Sequence, residues 1–205
     1  MMPENMETLI DLIRHGEPEG GSMYRGHNID HPLSEKGWQQ MRDATSGKIP
    51  WNEVISSPML RCSRFAQELA NAHKLSVTIE HDFREVGFGE WEGKTREQLR
   101  TERLQEYEDF YHDPVHCRPP GSEDLNAFIQ RVTSAYQLQT AQHGGKHILI
   151  VAHAGVIRAI IAHTLHSKPL GLYRIKVENG LISRIKIDKH GGHLLQHNVR
   201  LADMC

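Results

Sequence analysis

Short apolar runs, each ending abruptly in small or polar residues and each followed by a stretch with helical spacing, restrict the architecture of this chain more than any other feature. Thr8–Arg14 is apolar apart from one interruption, Asp11, and stops at His15-Gly16. Glu53–Ser57, Ser76–Glu80 and His147–Ala152 repeat the pattern. Apolar runs bounded by turn signals read as buried strands. Between them, Ser34 with Glu35 opens a polar helix that ends near Ser46-Gly47, and Ser57 is expected to cap a helix with Pro58 as its first residue. Phe65 and Leu69, with Ala66 and Ala70, give that second helix one apolar face. Leu125, Phe128, Ile129, Val132, Ala135 and Tyr136 recur at steps of three and four, and Val156–Leu165 is an apolar helix. Tyr173–Val177 and Ile182–Ile187, turning around Asn179-Gly180, predict a closing hairpin.

Strands alternating with helices imply a three-layer α/β/α sandwich around a mostly parallel sheet, with an antiparallel edge at the hairpin. At 205 residues without a repeat or linker, the expectation is one domain over 1–205, with residues 94–120 as a lid-like insertion bounded by proline breaks. Lys and Arg total 24 against 26 Asp and Glu, a net charge of −2, so no bulk positive field exists for a nucleic acid or an anionic membrane. Any anion must be caught locally. Apolar stretches such as Ile148–Ala152 are too short to cross a bilayer. The N-terminus lacks the pattern of a secretory signal, and Cys62, Cys117 and Cys205 share no metal-site spacing, so free thiols in a reducing cytoplasm are expected. A homodimer is left open.

Ligands of such sheets bind beyond the carboxyl ends of the strands. Arg14-His15-Gly16, Ser56-Ser57-Pro58 with Arg61, Glu85 ahead of Gly87–Gly93, and Ala152-His153-Ala154-Gly155 fall there or close by. Singly, each has an ordinary reading as a surface turn, a solvated cation, a surface carboxylate or a hydrogen-bonded core histidine. Together, two arginines, two histidines and one glutamate describe a pocket with two fixed positive charges. Arginine forks match phosphoryl oxygens bidentately, and each close charge pair is worth roughly 4 kcal/mol at an effective dielectric of 20, before desolvation.

These pieces, together with Leu12–Glu17, Pro32–Gly37 with Gln40, Ser56–Arg61, Phe88–Gly93 and Val151–Arg158 in the same order, resemble the histidine phosphatase superfamily, which includes phosphoglycerate mutases and acid phosphatases. The resemblance runs from Leu9 to about Leu165. It implies His15 as a nucleophile forming a phosphohistidine, Arg14, Arg61 and His153 as holders of the phosphoryl oxygens, and Glu85 as proton donor. Relatives often carry Asn at the place of Gly21, so any substrate contact here comes from the Gly21 backbone. The chemistry agrees: neighbouring arginines disfavour protonation of His15, and a bound phosphate dianion offsets those cations beside Glu85. No metal and no other cofactor is expected. Among the 15 histidines, His112 with His116 and Cys117 is interrupted by Pro114, and His190, His193 and His197 surround Gly191-Gly192, so neither set holds helical ligand spacing.

The segment Glu97–Asp113 carries six acids against Arg100 and Arg103, a poor cover for a bisphosphate, and offers Tyr107, Phe110 and Tyr111 either for stacking or for packing. Phe110–Pro114, Pro119–Glu123 and Phe128–Val132 look similar to the group containing α-ribazole-5′-phosphate phosphatases. The expected partner is therefore a small-molecule phosphomonoester, with α-ribazole 5′-phosphate as the leading candidate. A phosphoglycerate-type mutase is the alternative enzyme, and a noncatalytic phospholigand-binding or scaffolding protein the alternative of another class.

Overall fold

The computed structural model describes residues 7–204; Cys205 and the first six residues, where a secretory signal was discounted, lie outside the described residues. Six strands form one sheet: β1 (Thr8–Arg14), β2 (Glu53–Ser56), β3 (Ser76–Ile79), β4 (His147–Ala152), β5 (Ile182–Asp188) and β6 (Gly191–Val199). Their order is β3-β2-β4-β1-β5-β6, parallel from β3 through β1 and antiparallel across β5 and β6. The mixed α/β architecture expected from the apolar runs is present.

Alternation along the strands sends side chains to two cores. Ile10, Leu12, Ile148 and Ile150 pack with helices α5 (Leu125–Gln142) and α6 (Ala154–Thr164). Ile13, Val54, Leu149 and Val151 pack on the other face with α1 (Glu35–Ala44) and α2 (Leu60–His73), through Met41, Phe65 and Ala66. Helices α3 (Arg96–Glu102) and α4 (Leu104–His112) join the first core by burying Leu99 and Phe110. The Phe110 ring lies 4.9 Å, centroid to centroid, from both Trp91 and Tyr173, so packing, one of the two uses foreseen for this aromatic run, describes Phe110.

Two local expectations need correction. Helix α2 starts at Leu60 with Met59 as its N-cap, and Pro58 precedes it. Ser57 Oγ is engaged at 2.7 Å with His153 Nε2, and Asp30 Oδ1 instead accepts the Leu60 amide at 2.8 Å. The closing hairpin joins β5 to β6 around Lys189-His190, not around Asn179-Gly180. Pro169–Arg174 coils into a short helical turn instead, and Tyr173 packs against Phe110 and Arg158. A glycine at 191, with φ of 114°, permits the tighter reversal.

The single interruption in β1 also has a structural explanation. Asp11 is fully buried on the α1/α2 face, where its carboxylate accepts two hydrogen bonds from Arg184 (2.7 and 2.8 Å) and one from Trp51 Nε1 (2.7 Å), with His147 Nε2 at 3.0 Å. Burial pushes its pKa up, but the Arg184 and His147 bonds outweigh that and hold it below the usual carboxylate value. Removing one partner of a buried pair leaves a desolvated charge behind. Arg184→Met is therefore expected to lower the unfolding free energy by about 3 kcal/mol. Chemical denaturation measures it; a loss under about 0.5 kcal/mol would show that Asp11 does not depend on this pair.

Candidate active site

β1 and β4 run parallel with Arg14 beside Ala152, so the residues that follow each strand, His15 and His153, emerge together. Their rings meet edge to face with centroids 5.1 Å apart. β2 ends beside β4, and the first turn of α2 delivers Arg61 to the same place. Glu85 arrives from the loop after β3. Arg14, His15, Gly21, Arg61 and Glu85 line one cleft of about 500 Å³, and His153 is fully buried against His15. All six positions singled out from the sequence are thus brought to one region.

The two arginines are held by backbone carbonyls. Arg14 Nη1 donates to Val177 O at 2.6 Å. Arg61, 1% exposed, donates to Ile29 O at 3.0 Å and Gly26 O at 2.9 Å, with Asp30 at 3.9 Å. Among the described residues, the buried Nε of each has no hydrogen-bond partner. Such unpaired donors are costly unless a ligand meets them. Burial, reinforced by Arg158, pushes the Arg14 pKa down to about 10.

His15 Nδ1 lies 2.7 Å from Gly16 O, which only accepts, so Nδ1 carries the proton and Nε2 the lone pair. Burial first, then the Arg61 and Arg14 charges, hold the His15 pKa well below its ordinary value. Burial, Arg61, His15 and Arg14 do the same to His153. Glu85 is fixed by two backbone amides, Val86 N at 3.0 Å to Oε1 and Gly155 N at 3.2 Å to Oε2. A side chain at 155 would collide with Oε1, which explains the glycine in Ala152-His153-Ala154-Gly155. Behind Glu85, Arg131 donates to the carbonyls of Asp82 (2.5 Å), Arg84 (2.9 Å) and Glu85 (3.2 Å) and pairs with Glu123, which fixes the loop.

Gly21 is exposed on the cleft wall, and its carbonyl accepts from Arg25 Nη2 at 2.6 Å. Arg25 was not foreseen, nor were Arg96, Arg158, Arg174 and Lys176, all of which line the cleft. Arg158 had a readable signal: it follows Ala154 by four residues and so shares its helix face. Arg25 and Arg96 sit outside any strand end and become legible only in the fold. The acidic run behaves differently from its expectation, because none of its six acids lines the cleft. Glu102 pairs with Lys94, Glu106 with Arg103 and Trp91, and Asp113 with His116. The charge facing a ligand is therefore basic, the reverse of the segment's composition. Tyr24, Phe88, Tyr111 and Tyr173 complete the wall, with Tyr24 and Tyr111 joined hydroxyl to hydroxyl at 2.7 Å.

The tail histidines serve the β5–β6 hairpin. His193 meets Asp188 at 3.3 Å, while His197 contacts Ser183 Oγ at 2.8 Å and Lys176 O at 2.7 Å. Among the described residues no group of three or more His, Cys, Asp or Glu is arranged to hold a metal, and no helix is long and apolar enough to cross a membrane.

The chain is 29% identical over 183 residues to the adenosylcobalamin/α-ribazole phosphatase of Escherichia coli (strain K12), covering 87% of this chain and 89% of that protein. It is 30% identical over 158 residues to phosphoglycerate mutase-like protein 4 of Arabidopsis thaliana, covering 74% and 68%. The crystal structure of the α-ribazole phosphatase from Shigella flexneri superposes with a TM-score of 0.80 at 29% identity, covering 94% of this chain and 96% of that one. The sequence profile of the histidine phosphatase superfamily (branch 1) matches residues 10–200, which takes in every residue of the cleft, and the chain belongs to that superfamily.

Proposed function

We propose that this protein is a metal-independent phosphomonoesterase that works through phosphorylated His15. One observation carries the reading: His15 Nδ1–H is tied to Gly16 O while the guanidinium-bearing Arg14 and Arg61 line the same cleft. A phosphate monoester dianion meets those two positive charges and lies against a neutral nucleophile. Arg14, Arg61 and His153 hold its nonbridging oxygens, where they meet the charge of the transition state. His15 Nε2 forms the P–N bond as the ester P–O bond breaks, and the leaving oxygen takes the proton of Glu85. The resulting carboxylate then deprotonates a water that attacks phosphorus, which releases inorganic phosphate and restores His15. The Gly21 backbone borders the same anion. A noncatalytic phospholigand-binding role needs neither the nucleophile nor the acid.

Arg96 and Tyr111, both within the lid-like insertion we assign to residues 94–120, line the cleft. The aromatic wall of Tyr24, Phe88, Tyr111 and Tyr173 suits a flat organic group beyond the phosphate. With the names of the relatives, it favours α-ribazole 5′-phosphate as substrate. A second reading has its own observation: Arg96, Arg174 and Lys176 on the same wall suit a substrate with another anionic group, as a phosphoglycerate-type mutase or phosphatase would take.

A panel of phosphomonoesters separates these readings. α-Ribazole phosphate is expected to give the highest kcat/KM and inorganic phosphate as product; preference for phosphoglycerates, with phosphoryl transfer to a second hydroxyl, would favour the mutase. Labelled substrate quenched in base should leave the label on His15, and unaltered turnover by His15→Ala would overturn the mechanism.

Glu85→Gln keeps the shape but has no acidic proton. Loss of phosphorylation rate is expected to reach about 10²-fold with an alkyl phosphate and to be much smaller with p-nitrophenyl phosphate. The pre-steady-state burst is the measurement, since later hydrolysis also uses Glu85. Equal losses for both substrates would remove the general-acid role.

The pKa of His15 is depressed, so the ring stays neutral at its ordinary pKa of about 6.5 and takes up a proton only at lower pH. Ring titration by NMR is expected to begin below that value in the wild type and to move upward in Arg61→Gln, where one repelling charge is gone. An unmoved titration would show that the Arg61 charge does not contribute.

A further inference from the structure

The Ser57 hydroxyl makes the shortest polar contact to His153, although Ser57 itself is fully buried and does not line the cleft. Its Oγ is 2.7 Å from His153 Nε2 and accepts the Met59 amide at 3.3 Å. The helix-capping task expected of it is performed by Asp30. Cys62 packs on the same ring, with Sγ 3.9 Å from Nδ1 and 3.7 Å from Nε2, and its thiol donates to Ala152 O at 3.5 Å.

A neutral imidazole has one N–H and one lone pair, so its two nitrogens cannot both donate. With one Ser57 lone pair occupied by the Met59 amide, the hydroxyl proton is available to point at Nε2. The ring proton then sits on Nδ1. In the opposite arrangement Nε2–H donates to Ser57, and Nδ1, the nitrogen left over for a phosphoryl oxygen if His153 holds one, offers only a repelling lone pair. We propose that Ser57 is a positioning residue that holds His153 in the Nδ1–H tautomer, so that this histidine enters the reaction as a neutral hydrogen-bond donor. The inference rests on the reading of His153 as a holder of phosphoryl oxygens. Arginines supply the charge of the clamp, and Ser57 supplies the direction of one further N–H.

Nitrogen-15 NMR of histidine-labelled protein tests this without any turnover. The two ring nitrogens of His153, assigned by their loss in His153→Gln, are expected to show Nδ1 protonated and Nε2 as acceptor in the wild type. A wild-type Nε2–H signature would overturn the proposal even if the enzyme is an active phosphatase. Ser57→Ala should lose the fixed Nδ1–H signature, and Ser57→Thr, which keeps the hydroxyl, should retain it. In single-turnover kinetics, Ser57→Ala is expected to slow phosphorylation of His15 by about tenfold or more, the scale of one hydrogen bond to a charged group, with KM little changed. Ser57→Thr should recover most of that rate. Adding Ser57→Ala to His153→Gln should cost nothing more. An additive loss, or a Ser57→Ala protein that keeps both the tautomer and the rate, would show that the serine is only packing. Absence of phosphatase activity in the wild type, with the tautomer as expected, would instead count against the function and leave the positioning intact.

Discussion

Two arginine side chains at the end of an apolar sheet, Arg61 buried and Arg14 half-buried, set the terms for everything around them. Arg14 donates to the carbonyl of Val177 and Arg61 to those of Ile29 and Gly26, which holds both guanidinium groups in place before any ligand arrives. Their charges are repelled by nothing so strongly as by a third cation, and so they help keep the two neighbouring histidines neutral. Preorganised charge of this kind costs no rearrangement at the moment of reaction. It also explains why the backbone approaches so closely here: Gly155 has no side chain because Glu85 occupies that space, and Gly16 none because Gly37 does.

The parts of this arrangement that were legible in the sequence are those written at strand ends. Arg14, His15 and His153 follow directly from apolar runs, and Arg61 from the short offset to the next helix. Glu85 could be named because the surrounding glycines and aromatics match a family, and the fold then explains its placement through Arg131, a residue whose spacing looks like that of any polar position on α5. Arg25, Arg96, Arg174 and Lys176 were illegible for a physical reason. Each is a surface-type residue in an irregular or newly started segment, and only tertiary packing turns it toward the cleft.

Two errors share a cause. Ser57-Pro58 has the local chemistry of a helix start, and Tyr173–Val177 with Ile182–Ile187 has that of a hairpin. In each case a longer-range partner outbid the local preference: His153 took the serine, and the aromatic group around Phe110 took Tyr173. The net acidity of residues 97–113 misled similarly, because composition counts charges without regard to where they point, and Glu102 and Asp113 are engaged by Lys94 and His116 from outside the segment.

The order of the strands has a last consequence. β1 and β4, which lie far apart in the chain, stand side by side, and His15 and His153 become neighbours only through that pairing. A partly ordered chain therefore presents no fragment of the phosphate trap, since each piece alone is a turn or a lone cation. Under the proposed function, phosphate recognises the completed sheet, so binding and folding form one thermodynamic cycle. Every occupied cleft withdraws a molecule from the unfolding equilibrium, and the persistence of the native chain rises with the logarithm of ligand concentration above its dissociation constant.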